Sequence, residues 1–270
     1  MKSSDNRITL ITAICLAAAV FVASNLLGQY FSEGSNNFLS GKITGGFVRL
    51  ALILVGYYLL RRYRDEILVP VRKNYFIALL PAALCSLVIG SAAEKYLTND
   101  AEIFWVVLFV SLTIGLLEEI YCRRLLFMHL LKKKGDLMKA ALLSSFFFGV
   151  FHVFNLIGHE LTQKNLISVF NQMMFAFSMG MLMAGLYARS GSFLGVVLFH
   201  SLWDFSNIYK SYLRSIQNGQ DNPSFQGDPI PTIIGGLLFF AILFTIGYQL
   251  LRSAERKQEF VIRLDRKSSY

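Results

Sequence analysis

Apolar runs long enough to cross a bilayer recur along nearly the whole chain, separated by short polar stretches. A span needs roughly 20 mainly apolar residues, which rise about 30 Å as a helix. Eight runs approach that length: 8–28, 45–62, 75–93, 103–131, 138–157, 165–188, 191–207 and 231–251. The pattern predicts an all-α fold, a polytopic membrane helical bundle of about eight transmembrane helices. Three runs are irregular. The second carries Arg49 near its start, the fourth is long enough to tilt or emerge into the cytosol, and the seventh is short and polar. The first exceeds the h-region of a signal peptide, roughly 7–15 residues, and no clear A-x-A site follows it, so it reads as a retained helix. Residues 1–251 read as one membrane-embedded helical domain and 252–270 as a charged cytosolic tail.

Composition agrees with this pattern. The chain is 54% hydrophobic and only 16% charged, against about 25% charged in a soluble domain. The charges also orient the bundle. Twenty of the 26 Lys and Arg residues fall on one side of the predicted topology: the 61–73 and 123–139 connections, the tail from Arg252, and Lys2, Arg7 and Arg189. The other six, Lys42, Arg49, Lys95, Lys164, Lys210 and Arg214, fall on the opposite side. The positive-inside bias then puts both termini and the basic loops in the cytosol. The net charge of +9 follows from that topology and from anionic lipid headgroups. The lipid bilayer is the partner it implies, and a nucleic acid is not required. Cys15, Cys85 and Cys122 lie in or beside spans, at no metal-binding or disulfide spacing.

Against this background a few polar residues stand out. Glu118 and Glu119 follow fifteen mostly apolar residues; His152 sits inside 146–154; His200 and Asp204 sit inside 193–205. A charged group at a helix centre in the bilayer costs roughly 2.5–3.5 kcal/mol on insertion scales, so such residues mark a site or a pathway. On a helix Glu119 and Arg123 share a face and can pair, whereas Glu118 is offset by about 100° and is free to act. A helix end at which these charges are merely solvated is the plainer alternative. His200 and Asp204 also share a face, where a carboxylate can orient an imidazole or co-ligate a metal. Counted from the cytosolic end of each span, Glu118, His152, His200 and Asp204 all lie at a depth of about 16–22 Å. That set suits water activation by Glu and His, or a Zn²⁺ ion held by Glu118, His152, His200 and Asp204. Both routes lead to hydrolysis of a peptide bond in or beside the membrane.

The pattern EExxxR (Glu118, Glu119, Arg123), FxxxH (Phe148, His152) and HxxxD (His200, Asp204), with the lead-in Gly185–Ser192, resembles the CPBP intramembrane proteases. This family is also known as CAAX proteases, bacteriocin-processing enzymes or Abi proteins. The resemblance covers about 100–207 and implies an intramembrane endopeptidase in a multi-pass bundle, in a bacterial plasma membrane. By position it makes Glu118 the base with His152 as its partner. His200 and Asp204 would stabilise the oxyanion or hold a metal, Glu119 and Arg123 would support the site, and Phe148 would pack against it. The substrate would be a peptide or a lipidated protein, and the cofactor is either none or zinc. One departure stands out: metal-independent members resemble HxxxN here, and an ionised Asp204 cannot donate a hydrogen bond as Asn does. Asp204 must therefore be protonated, orient His200 or ligate a metal. Two other classes compete, a non-catalytic bacteriocin-immunity or regulatory scaffold and a transporter. A scaffold needs none of these polar residues, and a transporter is expected to show paired Gly/Pro-broken spans.

Overall fold

The computed structural model describes residues 9–33, 38–62, 101–218 and 229–256. The expected span 75–93, Cys85 and the end of the tail lie outside these residues. Every described element is a helix: α1 (Leu10–Glu33), α2 (Phe38–Arg62), α3 (Ala101–Glu119), a π-helical segment (Ile120–Phe127), α4 (Met128–Lys134), α5 (Leu137–Phe151), a 3₁₀ turn (His152–Leu156), α6 (Gln163–Ser190), α7 (Phe193–Asn218) and α8 (Pro229–Arg256). The fold is therefore an all-helical membrane bundle, as the apolar pattern predicts. Among the described residues, five stretches are long and apolar enough to cross a membrane: Leu10–Leu27, Glu102–Lys132, Leu137–Leu156, Gln163–Ser190 and Gly236–Arg256. Their outward surfaces carry exposed Trp105, Phe170, Leu238 and Ile242, as lipid contact requires.

The runs expected at 45–62 and 191–207 lie within α2 and α7, which are not among those five stretches. For α7 the reason is compositional, since it carries His200, Ser201, Asp204 and Asn207. Apolarity along the sequence thus underestimates a helix that turns a polar side inward. Residues 43–60, most of which lie in the expected α2 run, are mostly apolar and carry a single charge, Arg49.

The helices pack in two groups. Helix α2 lies against α1 and α3, and α3 against α7; α6 lies against α5 and α8. Helix α1 joins the groups by touching the π-helical segment and the 3₁₀ turn. Close approach is bought by glycine where lipid supplies no hydrophobic drive between helices. A Cβ on Gly115 would collide with the Ser201 hydroxyl and lie 3.0 Å from its backbone nitrogen, so α3 and α7 meet backbone to backbone. Likewise a Cβ on Gly185 would lie 2.8 Å from Gly247 O, which draws α6 onto α8.

Local signals fix the ends around the site. Asp136 caps α5 by accepting a bond of 2.9 Å from Lys139 N–H, and Thr162 caps α6 by accepting from Asn165 N–H. Gly135 and Gly191, at φ 66° and 62°, close α4 and α6 in the left-handed conformation. Within the fourth run, the α-helix gives way to π geometry directly after Glu119: Met128 N–H reaches back five residues to Arg123 O. Such wide turns recur at functional sites because they re-aim side chains within an otherwise regular helix.

Candidate active site

The polar residues singled out in the sequence converge on one cavity of about 450 Å³. Glu118 comes from α3, Phe148 from the end of α5, His152 from the 3₁₀ turn, and His200 and Asp204 from α7; all line it. Glu119 and Arg123 stand behind the wall and have no exposed surface.

The sealed layer forms first. Arg123 Nε lies 3.2 Å from Glu119 Oε2, the i,i+4 pair expected from the spacing. The Arg123 guanidinium lies over the Phe148 ring, 4.8 Å from its centroid, where the ring face attracts a cation. The other oxygen of Glu119 accepts a bond of 2.9 Å from His200 Nδ1. The adjacent Arg124 donates to the Tyr187 hydroxyl at 3.1 Å and lies over Phe193, tying the π-helical segment to α6 and α7.

His200 then links both glutamates. Its Nε2 lies 3.5 Å from Glu118 Oε2 and 3.6 Å from Asp204 Oδ2, within ion-pair reach and beyond a good hydrogen bond. A rotation of 100° between Glu118 and Glu119 does not send them to separate partners. The imidazole of a second helix sits between them and presents an opposite nitrogen to each.

His152 is arranged differently. Its backbone N–H bonds to Gly149 O as the helix tightens into the 3₁₀ turn, and its ring Nδ1 lies 2.8 Å from Phe148 O. A carbonyl can only accept, so Nδ1 carries the proton. In the neutral ring, Nε2 is then left as an acceptor. No hydrogen bond or ion pair joins His152 to Glu118; the two share the cavity wall. Phe148 packs edge-on against both histidines, with centroids 5.0 Å from His152 and 6.0 Å from His200.

The sequence reading passed over several lining residues. Arg49 was counted only as an outer-side charge. Asn155 and Gln172, bonded to each other at 2.9 Å, and Asn25 and Asn207 belong to none of the three motifs. Phe175 and Trp203 stack at 5.4 Å and form an aromatic wall. The visible signal was polarity within apolar helices, applied to acids and histidines and not to amides or Arg49.

The zinc alternative can be tested on the donor set. Among the described residues, no three His, Cys, Asp or Glu side chains are disposed to hold a metal ion. Glu119 holds His200 Nδ1 and Phe148 O holds His152 Nδ1, which leaves the two Nε2 atoms as the ring donors. These are not gathered with further ligands around one position.

Fold and site together define a class: a multi-pass helical membrane protein with an acid–histidine cluster facing an internal cavity. Residues 100–206 match the family described as type II CAAX prenyl endopeptidase Rce1-like. The match covers less than half of the 270 residues and includes Glu118, His152, His200 and Asp204, whereas α1, α2 and α8 lie outside it. No curated protein and no solved structure matches the chain significantly.

Proposed function

We propose that the protein is an intramembrane endopeptidase that hydrolyses a peptide bond with water activated by Glu118. The observation that carries this reading is the convergence of Glu118, His152, His200 and Asp204 on one cavity, within the segment that matches the CAAX prenyl endopeptidase family. Glu118 offers a carboxylate oxygen to the cavity, and His152 Nε2 is a second acceptor able to orient the same water. As the water oxygen bonds to the carbonyl carbon, Glu118 takes one of its protons. The carbonyl electron pair moves onto oxygen, and His200, doubly protonated between the Glu119 and Asp204 carboxylates, stabilises that charge through Nε2–H. Collapse of this intermediate breaks the C–N bond, and the proton on Glu118 passes to the departing nitrogen. One water is consumed, and an acid and an amine are formed.

Asp204 acts as a negative charge 3.6 Å from His200 Nε2, whereas Glu119 holds Nδ1 by a hydrogen bond. That role needs no hydrogen-bond donor, so it accommodates the departure from HxxxN. The substrate is a membrane-anchored peptide or lipidated protein, a reading supported by the prenyl endopeptidase description of the domain and by the Phe175–Trp203 wall. The excess of Lys and Arg in alternate connections supports cytosolic termini, and we take the membrane to be a bacterial plasma membrane.

The test is hydrolysis of a lipidated and unlipidated peptide library by detergent-purified protein, with Glu118→Gln and His152→Ala as comparisons and with and without a chelator. Losses of about 10²–10⁴-fold in both variants, with no chelator effect, are expected. Cleavage that survives Glu118→Gln would remove the proposed base, and cleavage abolished by the chelator would replace it with a metal.

A further inference from the structure

Arg49 is the cavity residue that the proposed chemistry does not use. It lies in α2, outside the matched domain, in the apolar stretch from Phe47 to Leu60. A cation at such depth costs a few kcal/mol unless something compensates it. Arg123 shows what compensation looks like: Glu119 on one side and the Phe148 ring on the other. Arg49 has neither, and makes no hydrogen bond or ion pair to any described residue. It is partly buried and lines the cavity alongside Glu118, His200 and Asp204. Its height is fixed, because the Tyr121 hydroxyl donates to Leu52 O at 2.9 Å, one turn along α2, and pins that helix to the π-helical segment.

The cavity thus holds Glu118 and Asp204 on one side, which repel an anion, and one unpaired guanidinium that attracts it. A cavity of about 450 Å³ is of the size that holds a small ligand or a short peptide end. A guanidinium is a planar fork matched to a carboxylate.

From this we infer that Arg49 is the anchor for a carboxylate of the substrate peptide, and so sets which peptides are cleaved. The inference rests on the endopeptidase reading and names the substrate's chemistry. Two sources supply that group, a free C-terminus and an Asp or Glu side chain. An alternative role for Arg49 is to offset Glu118 and Asp204, whose fields reach it. The two roles differ in outcome, since an offsetting charge serves every substrate alike.

The experiment compares one cleavable peptide as free acid and as C-terminal amide, with amide peptides carrying a single Asp at successive positions as a further arm. The full-length protein in detergent is used as wild type, Arg49→Gln and Arg49→Lys, and kcat/KM is the readout. A charged hydrogen bond contributes about 1.5–3 kcal/mol, so wild type should favour the carboxylate-bearing peptide by roughly 10–100-fold. In Arg49→Gln that ratio should fall towards one, and Arg49→Lys should retain an intermediate ratio, with a point charge but no fork. Preference for the free acid assigns the terminus, and preference for one Asp position assigns a side chain. A wild-type ratio near one, or equal losses for acid and amide peptides in Arg49→Gln, overturns the anchor. Binding of the same peptides to Glu118→Gln is measured in parallel. If wild type cleaves nothing, the endopeptidase reading fails, and the acid-to-amide affinity ratio, with and without Arg49→Gln, still decides the anchor.

Discussion

Glu119 has no exposed surface and is held by Arg123 on one oxygen and by His200 on the other. Glu118, one residue earlier, turns its carboxylate to a cavity and has only the longer 3.5 Å approach to His200 Nε2. The two residues have identical chemistry and opposite surroundings. A sealed, paired charge contributes geometry, because freeing it would leave an uncompensated ion in an apolar medium. A charge that faces a cavity keeps a lone pair for water. The same contrast separates the two arginines, Arg123 paired within the wall and Arg49 lining the cavity.

The largest expected effect comes from breaking the sealed side. Arg123→Ala leaves Glu119 buried without its cation and should cost about 3–5 kcal/mol of stability, read as a lower unfolding midpoint in detergent with loss of activity. Glu118→Gln should act in the opposite way. It should lower hydrolysis by about 10²–10⁴-fold while leaving the unfolding midpoint nearly unchanged, since Glu118 makes no short hydrogen bond. A Glu118→Gln protein that unfolds as readily as Arg123→Ala would erase the distinction between the two glutamates.

Gly115→Ala probes the distance between the two sides. The new Cβ meets Ser201, so α3 and α7 must part, at a cost of about 1–3 kcal/mol. Because His200 precedes Ser201, the activity loss should exceed what the stability loss alone would cause. The smallest effect should come from outside the site. Asp136→Ala removes the cap of α5 and should cost about 1 kcal/mol. The Lys139 N–H bond holds the Asp136 carboxyl below its ordinary range. Its contribution is therefore complete above the unfolded carboxyl pKa, near 3.9, and fades as pH falls through the lower folded value. The midpoints of Asp136→Ala and wild type should differ at neutral pH and converge in strong acid.

The helices and the candidate residues were legible in the chain because the bilayer enforces a simple code. Apolar runs of span length must be helices, and a polar residue within one must have a reason to be there. The pairing of Glu119 with Arg123 was legible for the same reason, since four residues apart on a helix is a local relation. The weakest span was α7, which turns His200 and Asp204 to an internal cavity; a one-dimensional average cannot tell an inward polar side from a weak span. The partner of Glu118 was not legible either. The motif order suggested His152, whereas the nearest imidazole is that of His200, brought in by the Gly115–Ser201 contact between helices far apart in sequence.

By itself, the sequence determined that the protein is a bundle of membrane helices, that acids and histidines intrude into three of them, and that Glu119 can pair with Arg123. These depend on hydrophobic length and helical spacing, which are properties of single segments. Only the tertiary structure decided that His200 links both glutamates, that the tightened turn at His152 leaves Nε2 to the cavity, and that Arg49 lines the cavity too. Those relations depend on how closely two helices approach and on where a helix tightens or widens, and these are set by contacts between segments.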